Sequence, residues 1–369
     1  MRSFFVLAAL ALVACGGAPS ENSNDTADEL KGPGKLATDQ RVPELGKDVK
    51  IVRTSRVDIT DALADDMIEA KFELGDDQKL SLSLYPVKDM TLDAERNVFQ
   101  ELSFNPTLVQ PEKSLDTFTD QEHLTRSARD LTLMQLSSVS LADVVWDASW
   151  EGQVYWAIPT IRQGRAGFGV YVLRCDDQIR YHFVDGEGAS FRTAGHPTDL
   201  GPGPGAKATD ARTPELDGDP SIALKSKITM SQALAQLEPK YGPMIEAKFE
   251  IGDDGNLSLS LYPTGKGIDV DAERNTFFEL AGDPTAASFA PELSEFVVPD
   301  AEHLTRSARD LTLVQTAGIG LRGAVQAVEK TMPGGFVYWA IPTIRDTRAG
   351  YGIYVYGTDK KSHYFFISG

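Results

Sequence analysis

A long part of this chain is written twice. IEAKFELGDDQKLSLSLYP at 68–86 returns as IEAKFEIGDDGNLSLSLYP at 245–263. DAERN at 93–97 returns at 271–275, and EHLTRSARDLTL at 122–133 returns unchanged at 302–313. VYWAIPTIR at 154–162 returns at 337–345, and RAGFGVYV at 165–172 returns as RAGYGIYV at 348–355. The order is kept and the offset grows along the chain, so short insertions separate the copies. A period of about 180 residues is too long for a stacked solenoid unit and means two tandem bodies of one kind. Two polar stretches containing Gly and Pro frame them, at 15–36 and 188–206. Such composition makes flexible tethers and linkers. GPGPG at 201–205 has the spacing of a phosphate loop, but Pro202 and Pro204 lack the backbone N–H donors such a cradle uses.

The second copy is the easier to read. Thr229 and Gln232 form a capping box, and Met230, Ala233, Leu234, Leu237 and Tyr241 follow helical spacing until Gly242-Pro243. Ile245, Ala247, Phe249 and Ile251 alternate with Glu246, Lys248 and Glu250 as a half-buried strand. After the turn at 252–255, Leu257, Leu259 and Leu261 form the returning strand. Ile268 to Asp271 reads as the start of a third strand, closed by a tight turn at Asn275 in left-handed geometry. The pattern recurs further on. Leu321, Ala324, Val325 and Val328 mark a helix, and Val337 to Ile341, Tyr351 to Val355 and His363 to Ile367 mark strands. Between the two runs, EHLTRSARD is expected to be a short helix leading into a strand LTLVQ. The expected fold is α+β: tandem modules of one helix on a three- or four-stranded antiparallel sheet. They span 37–110, 111–187, 207–290 and 291–369. In the first copy Met67 follows Ile59 by eight positions, whereas Met244 follows Met230 by fourteen, so six residues of helix and turn are missing there.

TMSQALAQLEPKYGPMIEAKFEIGDDGNLSLSLYP followed by DVDAERN resembles the PepSY module. The likeness is most specific over 226–275 and extends in weaker form over 55–185 and the rest of 226–369. Asn97 and Asn275 stand where that family usually has Gly. The resemblance implies four PepSY-like domains and a protein-binding role that inhibits or regulates a protease.

The N-terminus points to a location. Arg2 precedes an unbroken apolar run from Phe4 to Ala14. That is much shorter than the roughly 20 residues of a spanning helix and has the length of a signal-peptide core. The run ends in Leu12-Val13-Ala14-Cys15-Gly16, which resembles the lipobox of bacterial lipoproteins. The resemblance implies cleavage of residues 1–14, lipid attachment at Cys15 and membrane anchoring through that lipid. Gly16, not Asp, after the Cys implies the outer rather than the inner membrane. Lipidation of Cys15 leaves Cys175 as a single thiol, which cannot form an internal disulfide. About 355 residues then remain outside the cytoplasm, more than one small domain. With 36 basic and 54 acidic residues the net charge is −18, which argues against nucleic acid as a partner.

The chain carries no HExxH, GxSxG, P-loop or CxxC. His123 and His303 are equivalent and follow Glu122 and Glu302, but adjacent helical residues diverge and make no acid–base dyad. Asp253, Asp254 and Asn256, or Asp269, Asp271 and Glu273, supply too few oxygens for a calcium loop. No catalytic residue, metal or cofactor is therefore assigned. The candidate partner-binding residues are Tyr155, Trp156 and Arg162, with Tyr338, Trp339 and Arg345 in the second copy. Strand alternation places Tyr and Trp on opposite faces, which would leave one of each pair for an interface. The expected function is a membrane-anchored, non-enzymatic binding protein whose partner is a protease or another envelope protein. An assembly scaffold is the alternative, and an enzyme with an unrecognised site the second.

Overall fold

The computed structural model describes residues 38, 41–45, 48–64, 66–186, 197–204, 212–297 and 300–369. In the first half, a single helical turn, α1 (Ile59–Ala62), precedes β1 (Met67–Leu74). Ala70 and Phe72 point to one face of β1, and Glu69, Lys71 and Glu73 to the other. β2 (Leu80–Pro86) returns antiparallel with Leu82 opposite Phe72. β3 (Gln100–Phe104) and β4 (Lys113–Thr117) carry the sheet out to an exposed edge. Two helices follow, α2 (Gln121–Leu136) and α3 (Leu141–Ser149). β5 (Gly152–Arg162), β6 (Arg165–Arg174) and β7 (Ile179–Asp185) then form a second meander.

The two meanders are one sheet. β1 pairs with β5, Ala70 opposite Ala157 and Lys71 opposite Trp156. The strand order is β4-β3-β2-β1-β5-β6-β7, seven strands in all. The second half repeats the plan with α4 (Met230–Tyr241), β8 (Met244–Ile251), β9 (Leu257–Pro263), β10 (Phe278–Gly282) and β11 (Glu292–Glu295). It continues with α5 (Ala301–Thr316), α6 (Leu321–Thr331), β12 (Phe336–Arg345), β13 (Arg348–Tyr356) and β14 (Ser362–Ile367). There β8 pairs with β12, and the seven-stranded order is the same.

This overturns the expectation of four separate modules, each one helix on three or four strands. β1 and β5 are each the inner strand of a local meander with one unpaired hydrogen-bonding edge. A buried strand edge cannot stay unpaired, and joining the two edges satisfies both. Three local expectations change as well. EHLTRSARDLTL does not break into helix and strand; it lies within one 16-residue helix in each half. Ile268 to Asp271 is not a strand but leads into a 3₁₀ turn at Ala272–Arg274, and the third strand begins only at Phe278. Asn275 has φ −86°, extended rather than left-handed; its Oδ1 accepts from the Lys266 N–H at 3.1 Å.

α3 packs on β5 and β6, while α2 lies against β1 and β5 and also against α5 of the other half. The sheets are thus covered toward the middle of the molecule by two equivalent helices that meet. At the far edge of the second sheet, residues from the inter-half segment add to β14: the Leu200 N–H donates to the Tyr364 carbonyl at 2.8 Å, and Asp199 bridges Phe365.

Candidate functional site

The predicted aromatic pairs lie inside. Tyr155 and Trp156 are 1% and 3% exposed, and Tyr338 and Trp339 are 1% and 4% exposed. Alternation breaks at each pair: a β-bulge between Val154 and Trp156, and between Val337 and Trp339, brings Tyr and Trp against one ring, Tyr171 or Tyr354, and neither member of a pair reaches solvent. Trp156 stacks on Tyr171 at 5.2 Å, and Tyr171 meets Tyr181 edge-on at 4.9 Å, forming a cross-strand row. Arg162 is buried over the Phe183 ring, and Arg345 donates to the Pro204 carbonyl at 2.7 Å. These side chains hold the sheets together and offer no surface to a partner.

Each buried Trp has a polar task. Trp156 Nε1 donates to Glu69 at 2.7 Å, and Trp339 Nε1 to Glu246 at the same distance. Arg41 lies behind that carboxylate, 3.4 Å from Glu69, and grips Asp130 of α2 with two contacts of 3.2 and 3.1 Å. Arg212 repeats this with Glu246 at 3.3 Å and Asp310 at 3.2 Å. Alongside, Lys71 lies between Glu69, Glu73 and Glu44. Burial lowers the tendency of its ammonium to hold a proton, but the three carboxylates outweigh that and keep its pKa above the ordinary value.

The network then crosses between halves. Arg129 Nε lies 3.1 Å from Asp271, and Arg309 Nε lies 3.4 Å from Asp93. Arg129 and Arg309 also touch their own neighbours Asp130 and Asp310, at 2.5 and 2.6 Å. The exchange is reciprocal, as in a two-fold symmetric dimer. It joins the helix of one copy to the DAERN turn of the other. EHLTRSARDLTL and DAERN, both repeated without change, are the segments that meet. This seam was missed at the sequence level, as were Arg41 and Arg212. Their signal was in the text: ATDQRVPEL at 37–45 returns as ATDARTPEL at 208–216.

No cluster of three or more metal-ligating side chains occurs among the described residues. His123 stacks on Phe118 and lies 2.8 Å from its own N-cap Asp120; His303 lies 2.7 Å from Asp300. Each histidine belongs to a helix start. Asp77 and Asp254 close their own turns. Cys175 lies in the turn after β6.

The halves differ at one place. A cleft of about 440 Å³ opens in the first half between α1, α3 and the start of β5, with Ile59, Ser149, Gln153 and Leu173 in its wall. In the second half the matching positions carry Met230, Glu329, Phe336 and Tyr356, and Phe336 packs on Phe249 at 5.3 Å. Beside the cleft, on α3, Trp146 and Trp150 stand 59% and 69% exposed, one helical turn apart and edge-to-face at 6.1 Å. Gln326 and Lys330 replace them on α6.

No known protein family, curated protein or solved structure matches the chain. The functional reading therefore rests on its own residues. An exposed Trp pair is the strongest feature of that reading, because Trp is the residue most enriched at binding hot spots and two of them on one short helix are costly to leave in water. Sequence periodicity missed them because α3 was read in the second copy, where the same positions are Gln and Lys.

Proposed function

We propose that the protein is a non-enzymatic binding protein of the bacterial cell envelope, held at a membrane by lipid on Cys15 and binding a protein partner through the first half. The observation that carries the binding role is the exposed Trp146–Trp150 pair beside the cleft. The lipobox-like run before Cys15 and the polar tether after it support the location. No helix among the described residues is long and apolar enough to cross a membrane. The protease-inhibiting version rested on separate PepSY-like modules, and the fused seven-stranded sheets remove that support.

A photo-crosslinking side chain at Trp150 tests the partner. In intact cells it should trap a discrete envelope protein, and the same group at exposed Lys361 should not. Equal, diffuse labelling from both positions would defeat the binding role. The anchor is tested by intact mass. Protein extracted from membranes should begin at Cys15 and carry a diacylglyceryl group. A chain that keeps residues 1–14, or begins at Cys15 without lipid, would end the lipoprotein reading.

A further inference from the structure

The second half shows what the first half lacks. α4 has twelve residues, of which Met230, Ala233, Leu234 and Leu237 are buried. It lies along α6, with Glu238 3.1 Å from Arg322, and Gln236 donates to the carbonyl of Phe289 at 2.9 Å. Phe289 is buried in that loop. In the first half the helix stops after one turn, and the six missing residues align with Gln236 to Tyr241. Both surfaces that those turns contact are present in the first half, and both are apolar and open. The loop equivalent to that of Phe289 carries Leu108 and Val109, 50% and 78% exposed. The helix equivalent to α6 carries Ala142 in place of Arg322, with Trp146 and Trp150 along its exposed side.

The exposed charge bordering the gap is mainly acidic, and Arg53 in the cleft wall is already paired with Asp177 at 2.7 Å. Asp61, Asp66, Asp143 and Asp147 are exposed beside it, and at the last two positions the second half has Gly323 and Ala327. A helix entering here would need an apolar stripe like that of α4 and a basic polar face.

Resting on the binding role above, we propose that the first half docks a cationic amphipathic helix of its partner in the place that the later turns of α4 fill in the second half. The partner helix supplies in trans what the chain supplies to itself in the other copy, a helix-in-groove contact with anchors at i, i+3 and i+4. Trp146 and Trp150 close over its flank. The four carboxylates speed encounter and set its orientation.

The probe is a synthetic peptide of residues 229–242 of this chain with Glu238 replaced by Lys, titrated into the whole protein. Tryptophan emission and peptide anisotropy are read together. Saturable binding with a blue shift is expected, weakened at least about tenfold by the surface double variant Trp146→Gln, Trp150→Lys, which installs the residues of the second half. The parent peptide with Glu238 should bind more weakly than the Lys form, and the difference should shrink in high salt. A peptide of the same composition with its apolar stripe scrambled should not bind. No binding by the Lys peptide, or binding that the double variant leaves unchanged, overturns the proposal. Crosslinking from position 150 separates this failure from that of the binding role. A trapped partner with no peptide binding ends the helix-docking proposal alone; no trapped partner ends the role itself.

Discussion

Asp93 and Asp271 lie at the seam, each 2% exposed and each facing an arginine of the opposite half. A buried pair contributes little net stability, because desolvation of two charges offsets their attraction, but removing one member leaves the other uncompensated. Asp271→Asn removes the cross-half carboxylate of Arg129, which keeps Asp130, and Asp93→Asn removes that of Arg309, which keeps Asp310. Each should lower unfolding stability by about 1–3 kcal/mol, measured by chemical denaturation at neutral pH. Loss of less than about 0.5 kcal/mol, the usual range of a surface change, would mean that the arginines find other partners. The charges at this seam were visible in the sequence as unchanged repeats, but their pairing was not. Nothing in ARD or DAERN says that the arginine of one copy reaches the aspartate of the other. The reverse holds for Tyr155 and Trp156. Their strand was legible, but not the β-bulge between Val154 and Trp156, which breaks the alternation and brings both rings against Tyr171.

At the level of elements, strands and helices were legible wherever a period ran unbroken. β8, β9 and α4 lie where Ile245, Leu257 and Met230 begin their patterns. What failed was partner choice: alternation fixes which side chains share a face but not which strand lies alongside, so β1–β5 pairing went unread. A second pairing carries a pH dependence. His363 on β14 lies 2.6 Å from Asp199 of the inter-half segment and 3.0 Å from Asp359. Hydrogen bonds that its ring donates to Asp359 and then to Asp199 raise its pKa above the ordinary 6.5. A histidine pKa raised by folding gives stability that is complete below the unfolded value of 6.5 and is lost as pH rises through the higher folded value. Amide exchange at Leu200, corrected for its intrinsic pH dependence, should therefore show greater protection at pH 6 than at pH 9. His363→Gln should flatten that difference, while a difference that survives the substitution would assign the effect to another group.

The whole molecule is a covalent pseudo-dimer. Each half carries both members of the seam, an arginine on the central helix and an aspartate in the DAERN turn. A single half made alone exposes that surface, and a second copy of itself presents the complement. Residues 208–369 expressed on their own should form a two-fold dimer in which Arg309 pairs with Asp271 of the other copy. Light scattering during size-exclusion chromatography measures this, and Arg309→Glu should shift the species toward monomer. A folded wild-type monomer at tens of micromolar would show that the seam needs the two different halves. Two tandem bodies were legible from the repeat itself; that they close on each other was not, because symmetry between copies is a property of surfaces and not of spacing.

The asymmetry of α1 and α4 has a consequence for stoichiometry. Two identical subunits joined by this seam would carry the same outer flank twice, either both open or both filled. The fused chain needs matched residues only along the seam, so one flank can carry a full helix while the other carries a single turn. Among the described residues one flank is open, so the proposed partner helix is expected to bind once per chain. The molecule should saturate at one partner per chain, with hyperbolic, non-cooperative occupancy and no capacity to bridge two partners into a lattice.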